Sequence, residues 1–256
     1  MFGDEVAALA NAAKTKVQFL KNNVAGYFLA SMLAGIFVGF GVLLSFTIGG
    51  LLGGAPYTRI VMGISFGIAL SLVVIAGSEL FTGNTMVMTF GMCRKTVTAG
   101  QTIKLWLVCW LGNLAGSILL ALLFWAAGYA IGNVGNFIAE TAATKMSLPL
   151  FPLLLRGVLC NALVCLGVWS AARCKSEAAK LIMIFWCLFA FITSGFEHSI
   201  ANMTLFTIAM LSPMDAAVSF GGYVYNLFVV TLGNMLGGIL LVALPYHIIS
   251  KRKDVA

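Results

Sequence analysis

Two short stretches hold most of the residues able to do chemistry in an otherwise apolar chain. The first is Gly77-Ser-Glu79-Leu80-Phe-Thr82-Gly-Asn84, and the second is Gly195-Phe-Glu197-His198-Ser-Ile-Ala-Asn202. Both read G-x-E-x-x-x-x-N, and their glutamates lie 118 residues apart. His198 is one of only two histidines. A neutral imidazole can donate a hydrogen bond to an anion, and a protonated one adds a full charge near the pH at which cells work. Thr82 either offers its hydroxyl to a cargo or closes its own local turn. Glu79 and Glu197 suit an anion poorly as direct ligands, because a bare carboxylate repels it. Their expected role is structural. Each accepts from backbone N–H groups freed by a break in a helix, and Asn161 donates to Glu197; a proton relay is the alternative. Helices restarting near Asn84 and near Asn202 would each present partial positive charge and free N–H groups, which favour an anion.

The elements that must position these residues follow from composition. Of 256 residues, 61% are hydrophobic and 9% charged, against about 25% charged in an ordinary soluble domain. The mean hydropathy is +1.03. These values exclude a water-soluble globular enzyme, a disordered chain and a nucleic-acid-binding domain. Six apolar segments stand out, near 24–52, 59–91, 103–131, 148–172, 178–211 and 219–249. At about 20 residues per span, six crossings fit the length. A second motif also repeats: Gly112-Asn-Leu-Ala-Gly-Ser-Ile-Leu119 matches Gly233-Asn-Met-Leu-Gly-Gly-Ile-Leu240 at an offset of 121. Two motifs at nearly one offset divide the chain into halves of three helices, 24–131 and 148–249. An odd number of spans per half inverts one half relative to the other. Such repeats place a substrate path near the bilayer midplane, between discontinuous helices. Segments 2 and 5 are expected to carry the breaks, since Thr82 and Gly83 suit a continuous helix poorly. The fold expected is an all-α polytopic membrane protein in one domain.

Charge placement gives orientation. Lys14, Lys16 and Lys21 precede the first segment; Arg94, Lys95 and Lys104 follow the second; Arg173, Lys175 and Lys180 follow the fourth; Lys251, Arg252 and Lys253 close the chain. The opposite connections hold only Arg59 and Lys145, with Arg156 inside segment 4. The positive-inside rule then puts both termini in the cytoplasm, and the expected location is the inner (plasma) membrane. The basic balance is accounted for by topology and calls for no nucleic-acid partner. Residues 1–23 place Val6, Leu9, Ala13, Val17 and Leu20 at helical spacing, which reads as an amphipathic helix at the cytoplasmic membrane surface. Lys145 either attracts anions into a vestibule or is a solvated lysine; Arg156 snorkels or meets another subunit. The six cysteines form no Cys-x-x-Cys pair. No metal and no cofactor is expected.

At these residues the chain resembles the formate/nitrite transporter family. Ala76-Gly-Ser-Glu-Leu-Phe-Thr-Gly83 is similar to the family's first signature, and Gly157-Val-Leu-Cys-Asn161-Ala-Leu-Val-Cys-Leu166 to its second. Ala162 and Gly167 depart from the usual residues of the second. Within the family the chain resembles most the hydrosulfide channel branch. The resemblance implies an aquaporin-like fold and a homopentamer with one pore per protomer. It implies Thr82 and His198 in the pore, with Asn161 and Glu197 supporting the histidine. Two apolar constrictions also follow, placed at Phe66, Leu70, Leu80 and Phe191. The implied function is a channel for small monovalent weak-acid anions, hydrosulfide with formate and nitrite beside it, in which His198 shares a proton with the cargo and flux depends on pH. The N-terminal helix is a candidate gate. A formate or nitrite transporter proper is the near alternative. An aquaporin-type neutral-solute channel fits less well, because Thr85-Met86 and Met203-Thr204 stand where Pro-Ala would follow each Asn. An intramembrane enzyme built on Glu197 and His198 has neither His-Glu-x-x-His nor Gly-x-Ser-x-Gly to support it, and a receptor would not need matched breaks.

Overall fold

Long apolar runs, glycines at helix crossings and polar caps at helix ends yield a structure in which every regular element among the described residues is helical. The computed structural model describes residues 1–251; Arg252 and Lys253 lie outside them. The helices are α1 (Gly3–Asn22), α2 (Val24–Leu51), α3 (Thr58–Ser65), α4 (Ile68–Leu72), α5 (Phe81–Cys93), α6 (Ala99–Ala126), α7 (Gly132–Met146), α8 (Leu150–Arg173), α9 (Glu177–Thr193), α10 (Ser199–Leu211), α11 (Phe220–Leu236) and α12 (Leu244–Ser250). π-helical turns at Val73–Gly77 and Gly237–Ala243 continue α4 and join α11 to α12. Five stretches are long and apolar enough to cross a membrane: Val24–Leu51, Thr58–Gly77, Ala99–Ala126, Leu150–Arg173 and Phe220–Ser250. Segment 5 is divided between α9, of 17 residues, and α10, of 13, each short of the roughly 20 that one span needs.

Helix ends are fixed locally. Asn23 caps α2 by accepting from Gly26 N at 2.8 Å, Thr98 and Gln101 form a reciprocal capping box at α6, and Ser219 caps α11. Each satisfies donors that the first turn leaves free. The Gly-Asn motifs lie where helices cross closely. α6 packs on α2 and α11 packs on α8. A Cβ at Gly116 would overlap the Met32 carbonyl, and one at Gly237 would overlap that of Val158. Small residues at such crossings let membrane helices approach.

α1 turns its apolar stripe toward the protein. Val6, Ala10, Ala13 and Leu20 are buried, and α1 packs on α5. Thr96 Oγ1 donates to the Ala10 carbonyl at 2.7 Å, while Phe2 packs edge-on to Trp169 and Tyr246. The apolar stripe that suggested lipid is thus satisfied by protein. α7 is a helix where the sequence pattern suggested only a connecting loop.

Candidate functional site

The chain breaks helix twice, each time at a glycine in the left-handed region. Gly77 has φ 81° and Gly195 has φ 73°, a conformation that other residues adopt at a cost. Extended residues follow, and helix resumes at Phe81 and at Ser199. These starts correct the expectation of Asn84 and Asn202. Both asparagines lie inside the first turn, because their side chains turn to a carboxylate instead of capping the backbone. Asn84 Nδ2 donates to Glu79 at 2.9 Å, and Asn202 Nδ2 to Glu197 at 2.8 Å.

The two breaks are held by the same set of bonds. Asn113 accepts from Phe81 N at 3.0 Å and donates to the Glu79 carbonyl at 2.9 Å. Asn234 accepts from Ser199 N at 2.9 Å and donates to the Glu197 carbonyl at 2.9 Å. Each also ties the break to a neighbouring helix, Asn113 through the Ser31 carbonyl and Asn234 through that of Gly157. A lysine closes each set: Lys16 of α1 reaches Glu79 at 2.6 Å, and Lys145 of α7 reaches Glu197 at 2.7 Å. Tyr27 OH adds a bond to Glu79 at 3.0 Å. The carboxylates therefore bind side chains, and the backbone N–H groups expected to reach them go to Asn113, Asn234 and His198 instead. Asn161 is corrected likewise. Its Nδ2 donates to the Asn234 carbonyl at 2.6 Å, to Thr85 Oγ1 at 3.0 Å and to the Thr82 carbonyl at 3.3 Å, and it makes no bond to Glu197. Three oxygens crowd that amide nitrogen, which leaves no reach for a fourth.

His198 is both N-cap and contact. Its Nδ1 accepts from Ala201 N at 3.2 Å. A backbone N–H can only donate, so the neutral ring carries its proton on Nε2. That nitrogen lies 3.1 Å from Thr82 Oγ1, which accepts and keeps its own hydroxyl proton free. The ring is 4% exposed and Thr82 is fully buried, so the pair sits away from bulk water. Phe191 stacks on the imidazole with centroids 6.0 Å apart and meets Phe66 edge-on at 5.4 Å. Leu70 and Leu80 are buried nearby in the same core. Burying a polar pair costs free energy unless it is hydrogen-bonded, and this one is.

A cavity of about 440 Å³ runs beside α7, lined there by Phe137, Thr141 and Thr144, and reaches Phe66, Phe191, His198 and Glu197. Lys145, Arg59 and Arg156 border it. Reading the sequence missed Asn113 and Asn234 as the pins of the breaks, although the Gly-Asn repeat marked them. It also missed the reach of Lys16 and Tyr27, whose partners lie 63 and 52 positions away. The described residues contain no group of three metal-ligating side chains, and all six cysteines are free.

Apolar membrane-length helices, with two short helices that begin inside the core and face one buried polar pair, define a membrane transport protein. The chain belongs to the formate/nitrite transporter family: that family, described as "Formate/nitrite transporter", matches residues 4–248. The nitrite transporter NirC of Escherichia coli (strain K12) is 44% identical, over 96% of this chain and 91% of its own length. A solved structure described as an FNT family ion channel superposes with a TM-score of 0.93 at 42% identity, covering 97% of this chain and 99% of that one. A pentameric formate channel with formate bound superposes at 0.78 with 27% identity, over 90% and 98% of the two chains.

Proposed function

We propose that the protein is a homopentameric channel, one pore per protomer, for small monovalent weak-acid anions across the inner membrane, with both termini cytoplasmic. Each protomer is then two inverted three-helix halves, 24–131 and 148–249, in an aquaporin-like arrangement. The matched bonds at the two breaks support the repeat, and the similarity to a pentameric formate channel supports the assembly. The observation that carries the reading is the buried Thr82–His198 pair beside Phe66 and Phe191. A charged anion is costly in such an apolar slit, and its neutral conjugate acid much less so. The α7-side cavity collects the anion. Thr82 and the Nε2–H of His198 replace part of its water shell, and Leu70 with Leu80 forms the second constriction. The ring acts as a hydrogen-bond donor in its neutral form. Full proton transfer to the cargo needs Nδ1 protonated first, which displaces the Ala201 N–H. pH dependence is thereby coupled to the cap of α10.

Hydrosulfide is the cargo suggested by the sequence signatures, while the likeness to a nitrite transporter supports nitrite. The test is uptake into proteoliposomes of hydrosulfide, nitrite, formate and chloride from pH 5 to 9, with water permeability alongside. Saturable flux of the weak-acid anions, rising as pH falls, is expected. Water flow without anion flux would replace this reading by the aquaporin one.

A further inference from the structure

The α7-side cavity carries more positive charge than its break requires. Four charged side chains border it: Lys145, Arg59, Arg156 and Glu197. Lys145 is neutralised by Glu197 at 2.7 Å, leaving two guanidinium groups. Neither forms an ion pair among the described residues. Both line the cavity and are exposed. Arg59 stands in the first turn of α3, and Arg156 in the second turn of α8. Both lie against the break itself, Arg156 through its backbone and Arg59 through its side chain. The Arg156 carbonyl accepts from Glu197 N at 3.2 Å. Arg59 Nη1 sits 3.2 Å from where a Cβ of Gly195 would stand, so the bare glycine admits the guanidinium. Guanidinium groups on a cavity wall that answer no carboxylate keep their N–H donors available to an anion.

We infer that Arg59 and Arg156 form a capture site for planar two-oxygen anions at the outer mouth, so that the protein takes nitrite- or formate-like cargo in preference to a single-centre anion such as hydrosulfide. The inference rests on the anion-pore reading and deepens it. A guanidinium offers two parallel N–H donors that match two oxygens of one anion, whereas a sulfur or halide centre meets only the charge. Arginine stays charged at every relevant pH, so capture is independent of the pH response at His198. Exposed charge is screened by salt, so capture weakens as ionic strength rises.

The test uses the full chain in proteoliposomes, with flux measured against concentration for nitrite, formate and hydrosulfide. The variants are the double R59Q/R156Q and the double R59K/R156K, each checked for oligomeric mass by light scattering. In R59Q/R156Q the half-saturating concentration of nitrite and formate is expected to rise about threefold or more, the scale of one or two exposed charge contacts. That of hydrosulfide rises less, and maximal flux and pH profile stay as in the wild type. R59K/R156K keeps the charge but not the fork, so it should lose the nitrite-to-hydrosulfide preference while retaining part of the affinity. An unchanged preference in both doubles overturns the inference and leaves the pore reading intact. Loss of the oligomer in R59K/R156K also overturns it, since the arginines then serve subunit contact. Wild-type vesicles without anion flux remove the pore reading and the inference together.

Discussion

His198 makes two contacts that substitution can separate. Nδ1 caps α10 through Ala201 N, and Nε2 meets Thr82 at 3.1 Å. Asparagine is a strong N-cap and can take over the first contact, but its shorter side chain cannot reach Thr82. His198→Asn should therefore lose one buried hydrogen bond, about 0.5–1.5 kcal/mol. His198→Ala should lose the cap as well, about 0.5–2 kcal/mol more. The expected order of thermal stability in detergent is wild type, then His198→Asn, then His198→Ala, with the asparagine variant still assembled. Flux should separate the variants differently. Both lack the Nε2–H donor, so both should lose the wild-type dependence of nitrite flux on pH, whatever their stability. If His198→Asn assembles and conducts with the wild-type pH profile, Nε2 does not serve the cargo and the proposed mechanism fails.

Three further outcomes follow from the anchors. Asn234→Ala leaves Ser199 N and the Glu197 carbonyl without their partner and removes a second bond from the Gly157 carbonyl, which keeps its helical one; at about 1–3 kcal/mol for each unsatisfied group, ordered assembly should be lost, and an intact, conducting variant would show that the break holds itself. Gly91→Val places a Cβ 2.7 Å from that of Ala13, an overpacking of about 1–3 kcal/mol; α1 should lift from α5, seen as faster hydrogen exchange in residues 3–22 with the Thr82–His198 region unchanged. Glu5 lies below its usual value of 4.5, first through a backbone hydrogen bond and then through Arg173. A lowered carboxyl contributes above its unfolded pKa and stops contributing as pH falls through its folded one, so docking of the first turn of α1 should hold at neutral pH and loosen only below about pH 4.5; loosening near pH 6 would exclude Glu5 as the cause.

The parts that sequence reveals are those set by local pattern. Gly77 and Gly195 stood in matched motifs, and left-handed backbone is the reason a glycine is needed there. Apolar runs marked the helices because their composition leaves no other medium for them. The bonding partners were less legible. Asn161 lies within reach of several acceptors in a folded chain, and only the crossing of α8 with α5 and α11 decides that Thr82, Thr85 and Asn234 win over Glu197. Lys16 read as a topology signal because charge counts carry no distance. The α7 sequence, Gly132–Met146, mixes polar and small residues, so its periodicity is weak and its helix is stabilised by packing on α2 and α10.

The two breaks share one scaffold of Gly, Glu and Asn and differ in the residues between, among them the N-cap and the Thr82 position, where Ile200 stands in the second break. Each has a left-handed glycine, a carboxylate closed by a lysine and a first-turn asparagine, and a Gly-Asn asparagine that pins the restart. The N-cap residue is Leu80 in the first and His198 in the second. Leu80 gives α5 no side-chain cap, whereas His198 caps α10 and spans to the first turn of α5 through Thr82. A second histidine at position 80 would place two rings in one narrow space and wet the apolar constriction. A second leucine at position 198 would leave Thr82 alone of the buried polar pair. One leucine and one histidine on equivalent pins give the path a barrier to charge and a donor beside it. That combination suits the weak-acid anion pore proposed above, in which the scaffold repeats while the caps do not.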